Sequence, residues 1–324
     1  MLRIVRFPLV GLSGAPGDAH EAPVVVPDPG DLRCGQIAGA TDQRGEPMKR
    51  TRITQLVAAV AGCVLAAGLA ATPAGASSSS AGTEREDVPT FQEFEAQTFR
   101  DVDGQYVVNG DEPLKNRAIL RDYYDAMVAA QEDSSASLIV NRTYSGDDLW
   151  SATQARNLTY CVSTQFGTYH STIVNAMAQG AALWENATSG RVNFIYDSSQ
   201  NSKCRTSNNQ VLFPVQPTST TQYIARAFFP SSPDSQRNIL VNPVQLTNAG
   251  SWTPGNIMGH ELGHTLGFRH EHTRPEAGTC FEDNNWRPLT PYDSVSIMHY
   301  PQCNGGSSNL QFSSYDGQGV RTVY

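Results

Sequence analysis

The run His260-Glu261-Leu262-Gly263-His264-Thr265-Leu266-Gly267-Phe268-Arg269-His270 decides how the rest of this 324-residue chain is read. His260 and His264 stand four apart, so on a helix they share one face a turn apart. Both imidazoles can then reach one metal ion at about 2.0–2.1 Å. Glu261, next to the first ligand, can hold a water without ligating. Gly267 lacks a Cβ and tolerates a left-handed turn, which ends the helix and lets the chain swing back to offer His270. Three protein ligands and a fourth position left for water mark a catalytic rather than a structural zinc site.

Working outward, Thr253 is a helix N-cap and Pro254 suits the first helical position. Ile257, Met258, Leu262 and Leu266 fall on a core-facing side. Gly259 and Gly263 cost about 1 kcal/mol each relative to alanine, so the helix is expected to pack closely there. Upstream, Asn157 to Val162 reads as a strand. Tyr169 to Ala187 reads as a long helix with an Ile173, Met177, Ala181 and Trp184 stripe. Val192 to Tyr196, Val211 to Val215, Tyr223 to Phe229 and Ile239 to Val241 read as short strands between turn residues. A strand, a helix and several strands predict an α/β layer on a twisted sheet, in a compact domain beginning near Trp150. After Gly267 the chain is loop-rich until a terminal helix at Ser313 to Tyr324, capped at Ser313 or Ser314.

The front of the chain reads differently. Residues 1–47 are rich in Pro, Gly and Asp and show no periodicity. They read as an untranslated or disordered extension, with Met48 as the true start. From Met48 come Lys49, Arg50 and Arg52, an apolar run from Ile53 to Ala71, then Ala74-Gly75-Ala76, so 48–76 reads as a secretory signal peptide. The run is too short and alanine-rich for a stable membrane span. Val60-Ala61-Gly62-Cys63 resembles a lipobox, which makes a lipid anchor at Cys63 the rival to a freely secreted protein. Residues 77–140 read as an acidic, propeptide-like segment and linker. They include a helix from Arg117 to Ala130 with Ile119, Tyr123, Met127 and Ala130 on one face, and a linker from Asp133 to Ser137. Most of the net charge of −8 comes from this segment. No basic patch suggests nucleic acid. Outside the expected signal and extension four cysteines remain, an even number that reads as two disulfides in an exported protein. Of three connectivities, Cys161–Cys204 with Cys280–Cys303 is favoured, each pair within one half of the domain.

Taken further, HELGHTLGFRHE with Arg274-Pro275, followed by Ser296-Ile297-Met298-His299-Tyr300, resembles the astacin branch of the metzincin proteases. It also resembles secreted bacterial metzincin-like proteases with the longer run HEHTRPEAGTCFEDNNW. The resemblance is strongest over 254–303. It implies, for residues 141–324, an α/β (α+β) metzincin zincin-like fold: a twisted, mostly parallel sheet, two main helices and an irregular C-terminal subdomain. It implies zinc on His260, His264 and His270, Glu261 as general base and Met298 as a hydrophobic base beneath the metal. Tyr300 would be oxyanion donor and further zinc ligand. Glu271 matches a glutamate that meets the mature N-terminal amine, with a plain surface carboxylate as the competing reading. Asn109-Gly110-Asp111 is similar to the Gly-Asp motif with which astacin propeptides cap zinc, so Asp111 is a candidate latency ligand, against the reading of an acidic folding aid. His272 stands where animal astacins usually have glutamine, and the sequence after Pro275 diverges.

The function expected is that of a secreted, monomeric zinc endopeptidase acting on protein or peptide substrates. Two readings compete: a non-catalytic adhesin or toxin module that keeps a zinc site, and a zinc hydrolase of non-peptide substrates. His272 and His299 are expected to be structural or solvent-exposed. Glu282-Asp283-Asn284-Asn285 offers oxygen ligands for calcium but lacks EF-hand spacing, and a polar loop is the alternative. The Tyr223 to Phe229 strand is expected to line a cleft and pair with an extended substrate.

Overall fold

A computed structural model describes residues 89–129 and 137–324. The extension at 1–47, the signal peptide at 48–76, the Cys63 lipobox, Ala130 and linker residues 133–136 lie outside the described residues.

The first described segment builds a small core of its own. Helix α1 (Phe91–Gln97) starts at a reciprocal cap, in which the Glu93 amide donates to Thr90 Oγ1 and the Thr90 amide to Glu93 Oε2. Strands β1 (Phe99–Arg100), β2 (Tyr106–Val108) and β3 (Glu112–Leu114) form an antiparallel sheet. Helix α2 (Arg117–Ala129) follows. It buries Leu120, Tyr123 and Met127 against Phe91, Tyr106 and Val108. Of the expected stripe Tyr123 and Met127 are buried, but Ile119 is exposed and its neighbour Leu120 is wholly buried in its place. Both give helical spacing with Tyr123 and Met127, and only the partners across the interface choose between them.

The compact fold begins before Trp150. Strand β4 (Ser137–Thr143) buries Leu138, Ile139 and Val140. It pairs with the short β5 (Gly146–Asp147) and antiparallel with β11 (Trp286–Thr290). Ser137, expected in a linker, is therefore strand, and the region after Gly267 contains a strand that its own sequence did not announce.

Between these lie the one-turn helix α3 (Ala152–Ala155), β6 (Leu158–Val162) and the long α4 (His170–Thr188). Next come β7 (Phe194–Tyr196), β8 (Phe213–Pro217), β9 (Ala225–Arg226) and β10 (Ile239–Val241). The short α5 (Pro243–Thr247) leads to α6 (Pro254–Thr265), and α7 (Ser314–Val323) closes the chain. The sheet order is β7-β6-β8-β10-β9, parallel except for β9, which runs antiparallel to β10 at the end of the sheet. The strand expected over Tyr223 to Phe229 is thus only two residues long. This is a mixed α/β protein, and among the described residues no helix is long and apolar enough to cross a membrane.

One continuous core joins Val162, Phe213, Val215 and Ile239 of the sheet to Ile173, Met177 and Trp184 of α4 and Ile257, Met258 and Leu262 of α6. The two helices cross at glycines. A Cβ on Gly180 would lie 2.5 Å from the Gly259 nitrogen, and one on Gly259 would lie 2.8 Å from Leu183 Cδ1. Trp184 Nε1 donates to the Gly259 carbonyl at 2.8 Å across the same crossing. Close approach therefore offsets the low helix propensity of these positions. Cysteines pair as Cys161–Cys204 and Cys280–Cys303, the favoured connectivity.

Gly180→Ala should lower stability by about 1–3 kcal/mol, the usual penalty for overpacking a filled interior. Urea unfolding followed by tryptophan fluorescence measures this, and an unchanged midpoint would refute the close crossing.

Candidate metal centre

The site helix starts as its sequence suggests. Thr253 Oγ1 accepts from the Asn256 amide at 3.1 Å, and Pro254 occupies the first turn. Its end depends on a distant strand. Gly267 adopts φ 94°, and a Cβ there would lie 2.1 Å from the Asp148 carbonyl oxygen. Any other residue is excluded both by conformation and by space. Past this turn β4 catches the chain. The Asn141 amide donates to Gly267 O at 2.7 Å, the Arg269 amide donates to Ile139 O at 3.0 Å, and Val140 bridges Phe268. The next residue is His270, brought back over the helix.

His260 Nε2 lies 3.2 Å from both His264 Nε2 and His270 Nε2. Each imidazole is locked by its other nitrogen. Nδ1 of His260 donates to Ile297 O at 2.7 Å, Nδ1 of His264 to Phe268 O at 2.8 Å, and Nδ1 of His270 to Glu282 Oε1 at 2.7 Å. With the proton on Nδ1, all three Nε2 lone pairs face one point. Asp111 faces it as well. Its carboxylate oxygens lie 3.2 Å from His260 Nε2, 3.7 Å from His264 Nε2 and 3.1 Å from His270 Nε2. A tetrahedral ion with bonds of about 2.0–2.1 Å separates its ligands by roughly 3.3–3.4 Å, so the four side chains fit such an ion. Four buried acceptors at this spacing repel one another unless a proton or a metal cation lies between them. The cluster of Asp111, His260, His264 and His270 can hold a metal ion.

The electrostatics agree in part. Burial holds His260 down to about 4, so its imidazole is neutral, as a ligand must be. For His270 burial also acts downward, but Asp111 and Glu282 raise it well above its ordinary value, so metal binding there displaces a proton. Burial, then the Asp111 charge, raises the Glu261 carboxyl well above the usual carboxylate range, and its Oε2 is buried without a protein partner. Burial, then Asp111 and Glu261, keeps the Tyr300 phenol protonated. Its hydroxyl donates to Asp111 Oδ2, and its ring stacks on His260 and His272. Met298 packs beneath α6, and a Cβ on Gly263 would lie 2.4 Å from its Sδ. Asp316 of α7 holds this turn by accepting from Ser296 Oγ at 2.5 Å and the Ile297 amide at 2.9 Å.

Burial and partners decide several alternatives that the sequence left open. For His272 and His299 the solvent-exposed alternative falls, since both are buried. His272 Nδ1 accepts from the Tyr300 amide at 3.2 Å and its Nε2 faces Glu282 Oε1 at 3.2 Å, while His299 bonds Tyr292 Oη at 2.8 Å. Glu271 is not a surface carboxylate. It is wholly buried, accepts from the Asp293 amide at 3.1 Å, and is raised well above its ordinary value by burial. The carboxylates offered for calcium are engaged elsewhere. Glu282 binds His270, His272 and Arg269, and Asp283 binds Arg269. Glu282 is thus the residue whose contact with the histidine cluster sequence reasoning did not find. Although burial opposes its charge, His270 and His272 hold it well below its ordinary value. Arg269 also binds Glu112, next to Asp111, which ties the first segment to the site a second time.

No protein-family model matches the chain, and no curated protein matches it.

Glu282→Gln should weaken binding of a divalent metal by roughly 10–100-fold, the usual loss when a carboxylate partner of a ligating histidine is removed. Cobalt(II) titration against a chelator reads this directly. Unchanged affinity would mean that Glu282 does not hold His270.

Proposed function

We propose that the chain is a secreted zinc endopeptidase of the astacin-like metzincin type, synthesised in a latent form. The observation that carries this reading is the convergence of three Nε2 lone pairs beside a buried glutamate whose outer oxygen has no protein partner. The fold supports it with a mostly parallel sheet, two helices crossing at glycines and Met298 beneath the site. Export is supported by the signal-like segment and by two disulfide pairs.

Zinc, when bound, lowers the pKa of a water towards about 7 and polarises a peptide carbonyl. Glu261 stands beside His260 with a buried outer oxygen that has no protein partner, the position of a general base. It takes the proton of the attacking water on its carboxylate and passes it to the leaving amine. Tyr300, a protonated phenol, donates to the oxyanion once its bond to Asp111 is released. β9 is the last strand of the sheet, and its outer edge is where an extended substrate would pair. In the full chain the Asp111 carboxylate lies against the three imidazoles and takes the Tyr300 hydroxyl, so it competes both with water and with substrate.

Glu261→Ala should retain its metal while cleavage of a denatured protein falls by ~100-fold or more, the lower end of what a general base contributes. Residual cleavage near the parent rate, or cleavage that survives a chelator, would refute the mechanism. For latency, the unprocessed Asp111→Ala chain should cleave ~10-fold or more faster than the unprocessed parent, because more of it is competent to bind substrate. Equal inactivity would show that Asp111 is not the block.

A further inference from the structure

An oxyanion donor needs a fixed backbone as well as a free hydroxyl. Tyr300 has extended backbone just ahead of Pro301, and its amide donates to a side chain, His272 Nδ1, at 3.2 Å. Accepting there leaves the single ring proton of His272 on Nε2, the reverse of the tautomer that the three clustered imidazoles adopt. That N–H points at Glu282 Oε1 at 3.2 Å, the same oxygen that accepts from His270 Nδ1 at 2.7 Å. One carboxylate oxygen thus holds both a histidine of the metal cluster and the histidine that holds Tyr300.

Ring packing repeats the connection. The His272 ring lies nearly parallel to that of His270, with centroids 4.6 Å apart, and to that of Tyr300, with centroids 5.0 Å apart. A backbone bond joins the same two runs, since the Glu271 amide donates to Met298 O at 2.8 Å. His272 is buried, so without its Nδ1 the Tyr300 amide would lose its acceptor in a place that solvent does not reach. Any shift of the Tyr300 peptide carries the hydroxyl with it, and a misplacement of ~1 Å at a reacting centre can cost roughly 100-fold in rate.

We propose that His272 is a positioning residue for catalysis: it ties the Tyr300 peptide to Glu282 and so keeps the oxyanion donor in register with the metal-binding imidazoles. This inference rests on the protease reading above. It adds to that machinery a histidine that acts through Tyr300 and touches neither metal nor substrate.

The test uses the secreted chain after its natural processing and reads kcat, KM and zinc content together. His272→Phe keeps a stacked ring but removes the acceptor. It should lower kcat roughly tenfold or more with KM changed less than about twofold and zinc still stoichiometric, the pattern of an interaction made in the transition state. His272→Asn carries an oxygen close to the place of Nδ1 and should recover kcat to within about threefold of the parent. In a Tyr300→Phe background, His272→Phe should cost less than about twofold more, because the two residues act as one unit. A full-strength loss in that background, or an Asn variant as slow as the Phe variant, would overturn the role assigned to His272. A Phe variant as fast as the parent would do the same and leave the protease reading intact. No cleavage by the parent would overturn both. Nitrogen-15 NMR of the zinc-loaded parent decides the matter even if the variants fail to fold. His272 should carry its proton on Nε2 while His260, His264 and His270 carry theirs on Nδ1, and a proton on His272 Nδ1 would overturn the proposal.

Discussion

Three imidazole nitrogens within 3.2 Å of their neighbours, in an interior that excludes water, repel one another unless a positive charge lies among them. Much of the surrounding structure holds that arrangement in place. The Nδ1 atoms are spent on two carbonyls and a carboxylate, which leaves the lone pairs no other direction. The helix bearing two of the histidines is pressed against α4 at Gly180 and Gly259, and against Met298 at Gly263. The third histidine arrives because Gly267 turns the chain and β4 binds it on the far side. A helix, the turn that ends it and a strand far upstream thus converge on one point.

The first described segment is built into the same charge pattern. Asp111 and Glu112 are neighbours in sequence but answer two different sites: the histidine cluster and the buried Arg269. Asp101 and Asp103 answer a third, Arg226. The acidity concentrated in this part of the sequence is therefore partly a set of counterions matched to sites in the rest of the protein. Buried ion pairs of this kind add little net stability against an apolar alternative, but breaking one by removing a partner is costly.

Much of this was readable in advance, and the reasons are physical. Spacing along a helix is a local property, so His260, His264, Glu261, the Thr253 cap and the Gly267 break could be read from the chain itself. The α4 stripe and the cap at Ser313 are local in the same way. Asp111 could be placed only through the resemblance of its Gly-Asp pair. Features that depend on distant partners stayed hidden. β4 and β11 are strands because they pair with each other, and neither run carries a strong signal alone. Ile119 and Leu120 fit a helical stripe equally well until Phe91 and Tyr106 select Leu120. Glu282 read as part of a polar loop, with calcium as the lesser option, because nothing in its own neighbourhood reveals His270, His272 and Arg269 around it. Whether His272 and His299 were structural or solvent-exposed stayed open because burial is not written in the residue type.

The central claim is that His260, His264 and His270 bind one divalent metal together, with oxygen completing the set. X-ray absorption spectroscopy at the metal edge of the purified full chain tests it most directly. The account predicts stoichiometric zinc, three imidazole nitrogens at about 2.0–2.1 Å with their characteristic outer-ring scattering, and oxygen from Asp111 in the remaining first coordination. A metal bound by fewer than three imidazoles, a sulfur ligand, or a purified full chain that cannot take up zinc would contradict it.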